Sequence, residues 1–376
     1  MFKISSAGGA PKVVVDLING LNKLGKEVYL LTPFKLDYKK IESLYGPIKI
    51  KKVYYPDKIK SPICKGTFLP RKFMKKEFLE MIKEVDLVID IDGGIIHKYL
   101  PKDFDNSKYI IWRFSCVNSK RPWEKNNLKK KIRETAKILL GSKRCIPSKN
   151  HKIYASDKWT RKELLNFLEL NTEEKCLYPA VRVKELLEKR KEKKKQIAIF
   201  GRIAPNKSVD DSIKIFAEGT KEYQDYNLVI FGGGTADTGW YLKELKKIIN
   251  ELNILGRVKI IESPTSEELN KLILESKILI DSQRQISNTL TSIEALAAGC
   301  IILAHQESGA YTEVLDNGKY GYGFETLEDG AKKLKEIIEK LETKKLNSED
   351  FSLRAEYFSE ENFIKRLKNI LEENGI

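Results

Sequence analysis

Short runs of aliphatic and β-branched residues alternate with amphipathic helical stretches from one end of the chain to the other. Parallel strands need a crossover connection, which is usually a helix, so this alternation predicts an α/β fold with parallel sheets. Before residue 189 the predicted strands are Phe2–Ser5, Val28–Leu31, Ile48–Val53, Leu87–Asp90, Tyr109–Phe114 and Ile153–Ala155. After it they are Ile197–Phe200, Leu228–Phe231, Val258–Ile261, Ile278–Asp281 and Ile301–Leu303.

The length of the chain and one run of charge predict two domains. At 376 residues the chain is longer than a single hydrophobic core usually supports. The segment Lys189–Lys195 reads KRKEKKK, which is typical of a solvated helix end or linker, and a predicted strand begins directly after it. We therefore place the boundary there and expect domains over residues 1–188 and 189–376. The alternative for this run is a basic arm that binds nucleic acid.

The net charge indicates the chemistry of the partners without choosing among them. Lys and Arg number 69 against 53 Asp and Glu, which gives a net charge of +16. Such a surplus favours phosphate-bearing or polyanionic partners, whether a nucleotide, an anionic membrane or a nucleic acid.

The cysteines indicate a reducing compartment. There are five of them, scattered and without a CxxC pair, and only three histidines accompany them. This pattern favours neither a disulfide framework nor a structural zinc site. No stretch of about 18 apolar residues predicts a membrane span, and no signal-peptide pattern begins the sequence. We therefore expect a cytoplasmic protein.

The segment Arg121–Arg144 predicts a basic amphipathic helix. It contains nine basic and two acidic residues, with apolar residues interleaved among them. Such a helix can lie on an anionic membrane surface, which predicts peripheral association with the cytoplasmic face. Alternatively, its apolar face packs on the core and its basic face is simply solvated.

The strongest local motif is the segment Phe200–Lys207, FGRIAPNK, which directly follows an apolar strand. Gly201 allows the backbone to turn sharply and to approach a ligand closely. Arg202 and Lys207 follow in a strand-to-helix loop, the place where open α/β sheets bind ligands. Two cations there can neutralise a diphosphate. The alternative is two solvated basic residues in a lysine-rich protein.

A second motif begins a helix after the strand Ile278–Asp281. A helix that starts near Thr289–Ser292 points free backbone N–H groups at an anion. Glu294 lies in the first turns of this helix, where its carboxylate can accept hydrogen bonds from both hydroxyls of a ribose. The alternative is an acidic residue that only complements the helix dipole. The candidate donor-binding residues of this segment are Asn288, Thr289, Leu290, Thr291 and Glu294.

Two weaker motifs also follow strands. Gly232–Gly234 is either a second phosphate cradle or a turn that requires positive φ angles, and the turn is the favoured interpretation. Asp90 and Asp92 form a DxD pair, which suits a divalent metal ion on a diphosphate. A lone DxD is weak evidence, and it lies in the half opposite the phosphate-binding loop, so we expect no metal site.

The second half resembles the nucleotide-sugar domain of glycosyltransferase family 4, a family of retaining enzymes with the GT-B fold. The resemblance covers most of residues 196–370. Its segments are GRIAPNK, NLVIFGGG, VKIIESPTSEELNKLILESKILID, SIEALAAGCIILAHQESGAYTEVL and YFSEENFIKRL. Within that family the chain is most similar to the α-1,2-mannosyltransferases that extend dolichyl-diphosphate oligosaccharides. The segments that carry this finer likeness are YASDKWTRKELL, LYPAV and LAHQESGAYTEVL.

This resemblance implies a GT-B architecture, with two Rossmann-like domains facing each other across a cleft. The first domain takes the acceptor, the second takes the nucleotide sugar, and the last helix is expected to cross back to the first. Arg202 and Lys207 would contact the donor diphosphate, and Glu294 the donor ribose. The glycine loop of Gly8 and Gly9 would close over the phosphates from the first domain.

The implied reaction moves a hexosyl group from a GDP- or UDP-sugar to a glycan or lipid-linked acceptor. The anomeric configuration is retained, and neither a metal ion nor another cofactor takes part. A nucleic-acid-binding protein is the alternative that the charge of +16 suggests. It leaves the ordered donor-site motifs without an explanation, so we expect no nucleic-acid partner.

The chain departs from the family pattern at two positions. Ile286 stands where the family usually has a second Glu, eight residues before Glu294. The segment Ile111–Phe114 contains no His, although the family tends to place one there. His97 and Asp92, in the preceding strand-to-helix loop, are the candidates for the acceptor side, and a merely structural His97 is the alternative. These departures leave open a glycosyltransferase-like scaffold that has lost catalysis.

Overall fold

The computed structural model describes residues 4–5, 8–56, 74–91, 96–114, 151–190, 192–233, 238–284, 290–347 and 349–376. The chain divides into two compact units. Unit 1 consists of Met1–Pro179 together with Phe363–Ile376, and unit 2 consists of Ala180–Asn362. The division falls at Ala180, whereas the sequence suggested a boundary at residue 189. Among the described residues, no helix is long and apolar enough to cross a membrane.

The described part of unit 1 contains two parallel sheets. Its helices are α1 (Gly9–Lys23), α2 (Tyr38–Tyr45), α3 (Lys75–Met81) and α4 (Lys158–Leu168). Its strands are β1 (Tyr29–Leu31), β2 (Lys52–Tyr54), β3 (Val88–Ile91), β4 (Tyr109–Arg113) and β5 (Lys152–Ala155). One sheet has the order β1-β2 and the other β3-β4-β5. An apolar cavity of about 500 Å³ lies between β1 and β3. Of the strand predicted at Phe2–Ser5, the described residues Ile4 and Ser5 form a turn instead.

Unit 2 contains a six-stranded parallel sheet with helices between its strands. Its strands are β6 (Lys194–Phe200), β7 (Asn227–Gly232), β8 (Val258–Glu262), β9 (Ser276–Asp281), β10 (Ile301–His305) and β11 (Tyr322–Phe324). Its helices are α5 (Val183–Glu188), α6 (Val209–Gly219), α7 (Thr238–Glu251), α8 (Ser266–Glu275), α9 (Leu290–Ala297), α10 (Leu327–Glu342) and α11 (Glu349–Ser352). The predicted capping box of Thr265 and Glu268 is confirmed at the start of α8.

The strand order β11-β10-β9-β6-β7-β8 is that of a Rossmann sheet. The chain runs outward from β6 to β8 on one side, then returns to add β9 to β11 on the other side. The order therefore reverses between β6 and β9, which pair in parallel through Ala198 and Leu279. This switch point is where open α/β sheets bind ligands, outside the carboxyl ends of the strands.

The last helix, α12 (Glu360–Glu373), begins in unit 2 and continues into unit 1. Its apolar face is buried in unit 1, where the ring of Phe363 stacks on Trp112 with 5.8 Å between ring centroids. A Cβ atom at Gly20 of α1 would lie 3.0 Å from the Phe363 ring and 3.2 Å from Leu367, so α12 packs closely on α1.

The charged run Lys189–Lys195 begins at the end of α5, as the helix-end interpretation suggested, but it is not a solvated linker. β6 already begins at Lys194, and the ammonium of Lys193 donates to the carbonyl oxygens of Leu274 (3.2 Å) and Ser276 (2.8 Å). Arg190 donates to the carbonyl oxygen of Ala297. These cations satisfy backbone acceptors of unit 2, so the run is part of that unit.

Candidate functional site

Two loops meet at the switch point of unit 2. The first leaves β6 at Gly201, whose φ of +138° lies in the region that favours glycine. Its backbone is fixed by two hydrogen bonds, from Gly201 N to the Phe231 oxygen and from Ile203 N to the Gly233 oxygen, both 3.1 Å. A short 3₁₀ turn at Pro205–Lys207 then leads into α6. The predicted phosphate loop, Gly201–Lys207, therefore has a defined backbone.

Gly232 allows this loop to pass close to the end of β7. Its φ is +152°, and a Cβ atom there would lie 1.8 Å from the carbonyl oxygen of Gly201. The backbone conformation and the close approach both require glycine. This packing explains Gly232 without a second phosphate cradle, and Gly234 lies outside the described residues.

Lys207 is buried at the switch point with only 7% of its surface exposed. Its ammonium donates a hydrogen bond to Oε1 of Gln283, a residue that follows β9 and is 5% exposed. The pKa of Lys207 is lowered to about 8, chiefly by burial, with Asp281 acting to raise it and the nearby Arg202 acting to lower it. Near neutral pH the site therefore holds a buried cation.

Gln283 is held in turn by Asp281, the last residue of β9. Oδ1 of Asp281 accepts hydrogen bonds from the side-chain amide of Gln283 (2.8 Å) and from its backbone N–H (3.3 Å). Oδ2 accepts from the Ser292 hydroxyl at 2.8 Å. One buried carboxylate thus joins the loop after β9 to the first turn of α9.

The start of α9 also lies beside the phosphate loop. Thr291 is so placed that its Cγ2 would be 3.8 Å from a Cβ atom at Gly201. Leu290 and Thr291 open the helix and are half-buried. Glu294 is half-buried one turn further on, next to the buried Ile293 and Ala295. Arg202 is exposed in the phosphate loop. Asn288 and Thr289 lie outside the described residues.

The structure therefore brings Gly201, Arg202, Lys207, Leu290 and Thr291 together in unit 2, as the two motifs suggested, with Glu294 one turn into the same helix. Gln283 and Asp281 were not predicted from the sequence. The available signal was their position at the end of the buried strand β9, where polar side chains meet ligands.

The candidates in unit 1 have other surroundings. Gly8, with a φ of +145°, and Gly9 begin α1, and the Tyr45 hydroxyl donates to the Gly8 oxygen at 3.1 Å. His97 is half-buried in a 3₁₀ turn and packs edge-on against His151, with 5.5 Å between ring centroids. Burial, with a contribution from His151, lowers the pKa of His97 to about 4. His97 is therefore uncharged near neutral pH.

The predicted carboxylate pair is only partly described. Asp90 accepts a hydrogen bond from the Tyr109 hydroxyl at 2.6 Å, and Asp92 lies outside the described residues. In the part of the chain that the structure describes, no group of three His, Cys, Asp or Glu side chains could hold a metal ion. The basic segment Arg121–Arg144 is also outside that part, so its contact with a membrane stays a prediction.

Residues 185–357 match the family model described as Glycosyl transferases group 1. An uncharacterized glycosyltransferase of Haemophilus influenzae is 24% identical over 381 residues, which cover 99% of this chain and 98% of that protein. An alpha-monoglucosyldiacylglycerol synthase of Acholeplasma laidlawii is 24% identical over 396 residues, which cover 96% and 92%.

Solved structures show the same fold. A glycosyltransferase from Rickettsia africae superposes with a TM-score of 0.68 at 16% identity, covering 98% of this chain and 95% of that one. HepE from Anabaena, solved with UDP and glucose, gives a TM-score of 0.63 at 13% identity and covers 98% and 97%.

The chain thus has the α/β GT-B fold of these glycosyltransferases, and it carries a glycosyltransferase group 1 domain over most of unit 2. It is a transferase enzyme with a role in sugar transfer. The finer assignment to family 4 and to the α-1,2-mannosyltransferases stays a prediction.

Proposed function

We propose that this enzyme moves a hexosyl group from a UDP- or GDP-sugar to a glycan or lipid-linked acceptor, with retention at the anomeric carbon. The observation that carries the proposal is the meeting of three features at the switch point of unit 2. These are the exposed Arg202, the buried Lys207 and the start of α9 beside Gly201. Two cations and a helix N-terminus are the groups that bind a diphosphate.

Each residue has a chemical role in this proposal. Arg202 offers a planar fork of donors to the diphosphate, and Lys207 offers a compact charge. Side chains on a helix tilt toward its N-terminus, so Glu294 extends back toward the start of α9. Its carboxylate is then suited to accept both ribose hydroxyls of a donor whose phosphates lie at the helix start.

The cations also account for the chemistry of the transfer. As the glycosidic bond to the diphosphate breaks, negative charge grows on the leaving phosphate oxygen. Arg202 and Lys207 stabilise that charge in place, so no metal ion is required. In the front-side mechanism that the family resemblance implies, the leaving oxygen itself takes the proton of the acceptor hydroxyl.

The relatives support particular substrates. HepE was solved with UDP and glucose, which favours a UDP-hexose donor, and the Acholeplasma laidlawii relative is named for glucosylated diacylglycerol, which favours a lipid-linked acceptor. The likeness to α-1,2-mannosyltransferases favours GDP-mannose instead. An enzyme acting on a lipid-linked acceptor would work at the cytoplasmic face of a membrane, where the basic segment Arg121–Arg144 can assist binding.

Donor-dependent release of a nucleoside diphosphate tests the proposal and its independence of metal. We expect release from one or more UDP- or GDP-hexoses, and we expect excess EDTA to leave the rate unchanged. Loss of release in EDTA with rescue by Mn²⁺ would instead favour a metal site at Asp90 and Asp92. Nucleotide binding without release from any donor would indicate a lapsed scaffold. Salt-dependent binding of DNA or RNA without nucleotide binding would indicate the nucleic-acid alternative.

Replacing Glu294 by Gln should weaken binding of the nucleoside diphosphate about tenfold. The variant keeps the shape of the side chain and loses its charge, and hydrogen bonds to charged groups are worth about 1 kcal/mol more than neutral ones. Isothermal titration calorimetry measures the change. Glu251→Gln, at the far end of α7 and ion-paired with Lys247, is a matched control that should bind normally. Unchanged affinity in Glu294→Gln would leave only the helix-dipole role.

A further inference from the structure

We propose that Gln283 is a positioning residue for sugar transfer, because it holds the Lys207 ammonium in place for the donor diphosphate while Asp281 fixes Gln283 itself. The inference rests on the proposed function of the switch point. It adds a residue that touches neither donor nor acceptor and acts through Lys207.

The two partners of Gln283 determine the orientation of its amide. A carboxylate can only accept and an ammonium can only donate, so the amide NH₂ must face Asp281 and Oε1 must face Lys207. The backbone N–H of Gln283 also donates to Oδ1 of Asp281, at 3.3 Å, which closes a ring between the two residues. The Gln283 side chain is therefore fixed through its backbone N–H and its amide NH₂, and this fixes Oε1, the atom that Lys207 contacts.

A neutral amide suits this position better than a carboxylate would. A direct ion pair between Lys207 and Asp281 would neutralise the cation that the diphosphate needs. Gln283 separates the two charges and directs the ammonium without cancelling it. An ammonium has three N–H donors, and the bond to Gln283 uses one, which leaves two for phosphate oxygens.

The same carboxylate also fixes the helix that meets the donor. Oδ2 of Asp281 accepts from Ser292 in the first turn of α9, and the neighbouring Ser282 hydroxyl lies 2.7 Å from that of Ser212 in α6. The buried carboxylate of Asp281 therefore helps to position both Lys207, through Gln283, and the start of α9, through Ser292. Rigid spacing between a cation and helix amides is what preorganised stabilisation of a leaving group requires.

Two variants of Gln283 separate positioning from simple structural support. Gln283→Met keeps length and apolar packing but removes the acceptor, so kcat/KM should fall by up to about 100-fold, as a misplacement of about 1 Å can cause. The pH dependence of kcat/KM reports the groups of the free enzyme. With the Lys207 pKa at about 8, activity of the parent enzyme should decline above pH 8. The Met variant should decline from a lower pH, because the charged form of Lys207 has lost a stabilising acceptor.

Gln283→Glu should move the pH profile the other way. Its carboxylate lies beside that of Asp281 and adds negative charge next to the ammonium, so the alkaline decline should shift to higher pH. We expect kcat/KM to fall because the cation is partly neutralised and the amide donor to Asp281 is lost. Arg202 and Asp281 are the other charged groups that act on Lys207, and both variants retain them. Gln224→Met, at an exposed turn, is the control and should keep the parent rate and profile.

The outcomes distinguish this inference from the proposed function. Release of no nucleoside diphosphate by the parent enzyme would overturn the proposed function itself. An active parent, with both Gln283 variants at the parent kcat/KM and the same alkaline decline, would overturn the positioning role alone. Thermal unfolding of each variant identifies a folding failure. If the Met variant does not fold, the isosteric Glu variant with its opposite shift decides the question.

Discussion

Replacing Arg202 by Ala lowers kcat/KM by about 10²–10³ if this side chain stabilises the departing diphosphate, since removal of one preorganised charge stabiliser has that effect. Arg202 is exposed, and thermal unfolding of the variant determines whether the loss belongs to transfer rather than to stability. Lys207→Met should cause a loss of similar size. It keeps the buried stem of the side chain and removes only the charge.

The two losses should not add fully in the double variant. Both cations act on the same diphosphate, and contributions of neighbouring groups that share a partner are not independent. Steady-state release of the nucleoside diphosphate measures all three variants. Lys247→Met, exposed on α7, is the matched control. A double variant that retained full activity would remove the donor site from the switch point.

Gly232→Ala should abolish most of the activity and lower the free energy of unfolding by about 2–5 kcal/mol. An Ala at a φ of +152° is strained, and its Cβ would stand 1.8 Å from the Gly201 oxygen, so the loop that carries Arg202 must move. Urea denaturation measures the stability and nucleotide release measures the activity.

Gly233 supplies the control for this substitution. Among the described residues, no atom would lie within 4 Å of a Cβ atom at Gly233. Gly233→Ala should therefore keep near-parent stability and activity. Equal behaviour of the two Ala variants would mean that the close approach of the two backbones does not constrain the phosphate loop.

The sequence predicted most strands of the sheets because parallel strands are buried on both faces and appear as continuous apolar runs. β11 was missed for a physical reason. It has three residues, and its central Gly323 weakens the strand pattern. A Cβ atom there would lie 2.2 Å from the Tyr311 ring, so glycine permits a close approach that strand propensity does not register.

The position of the candidate site could be predicted from the sequence, but its hydrogen bonds and burial could not. Residues after strands and at a helix start could be expected to meet in a Rossmann sheet, which is why Arg202, Lys207 and Glu294 were found. The burial of Lys207 could not be read from sequence, because lysine is rarely buried without a partner and that partner, Gln283, is distant in the chain. The linker interpretation of Lys189–Lys195 was wrong for the same reason. The carbonyl oxygens that accept hydrogen bonds from Lys193 belong to residues that are distant in the chain.

The route of the chain through the two units also sets the order in which they can fold during synthesis. Unit 2 is one continuous stretch, whereas unit 1 needs Phe363–Ile376, which are made only after the whole of unit 2. The surface of α1 that receives Phe363 and Leu367 therefore stays uncovered while unit 2 is translated, which takes on the order of 10–40 s at about 5–20 residues per second. Synthesis of unit 1 begins before that of unit 2, but unit 1 can complete its fold only after unit 2 has been made. A nascent chain of this enzyme consequently presents an exposed apolar face during that time, and its yield in cells should depend on chaperones that bind such faces.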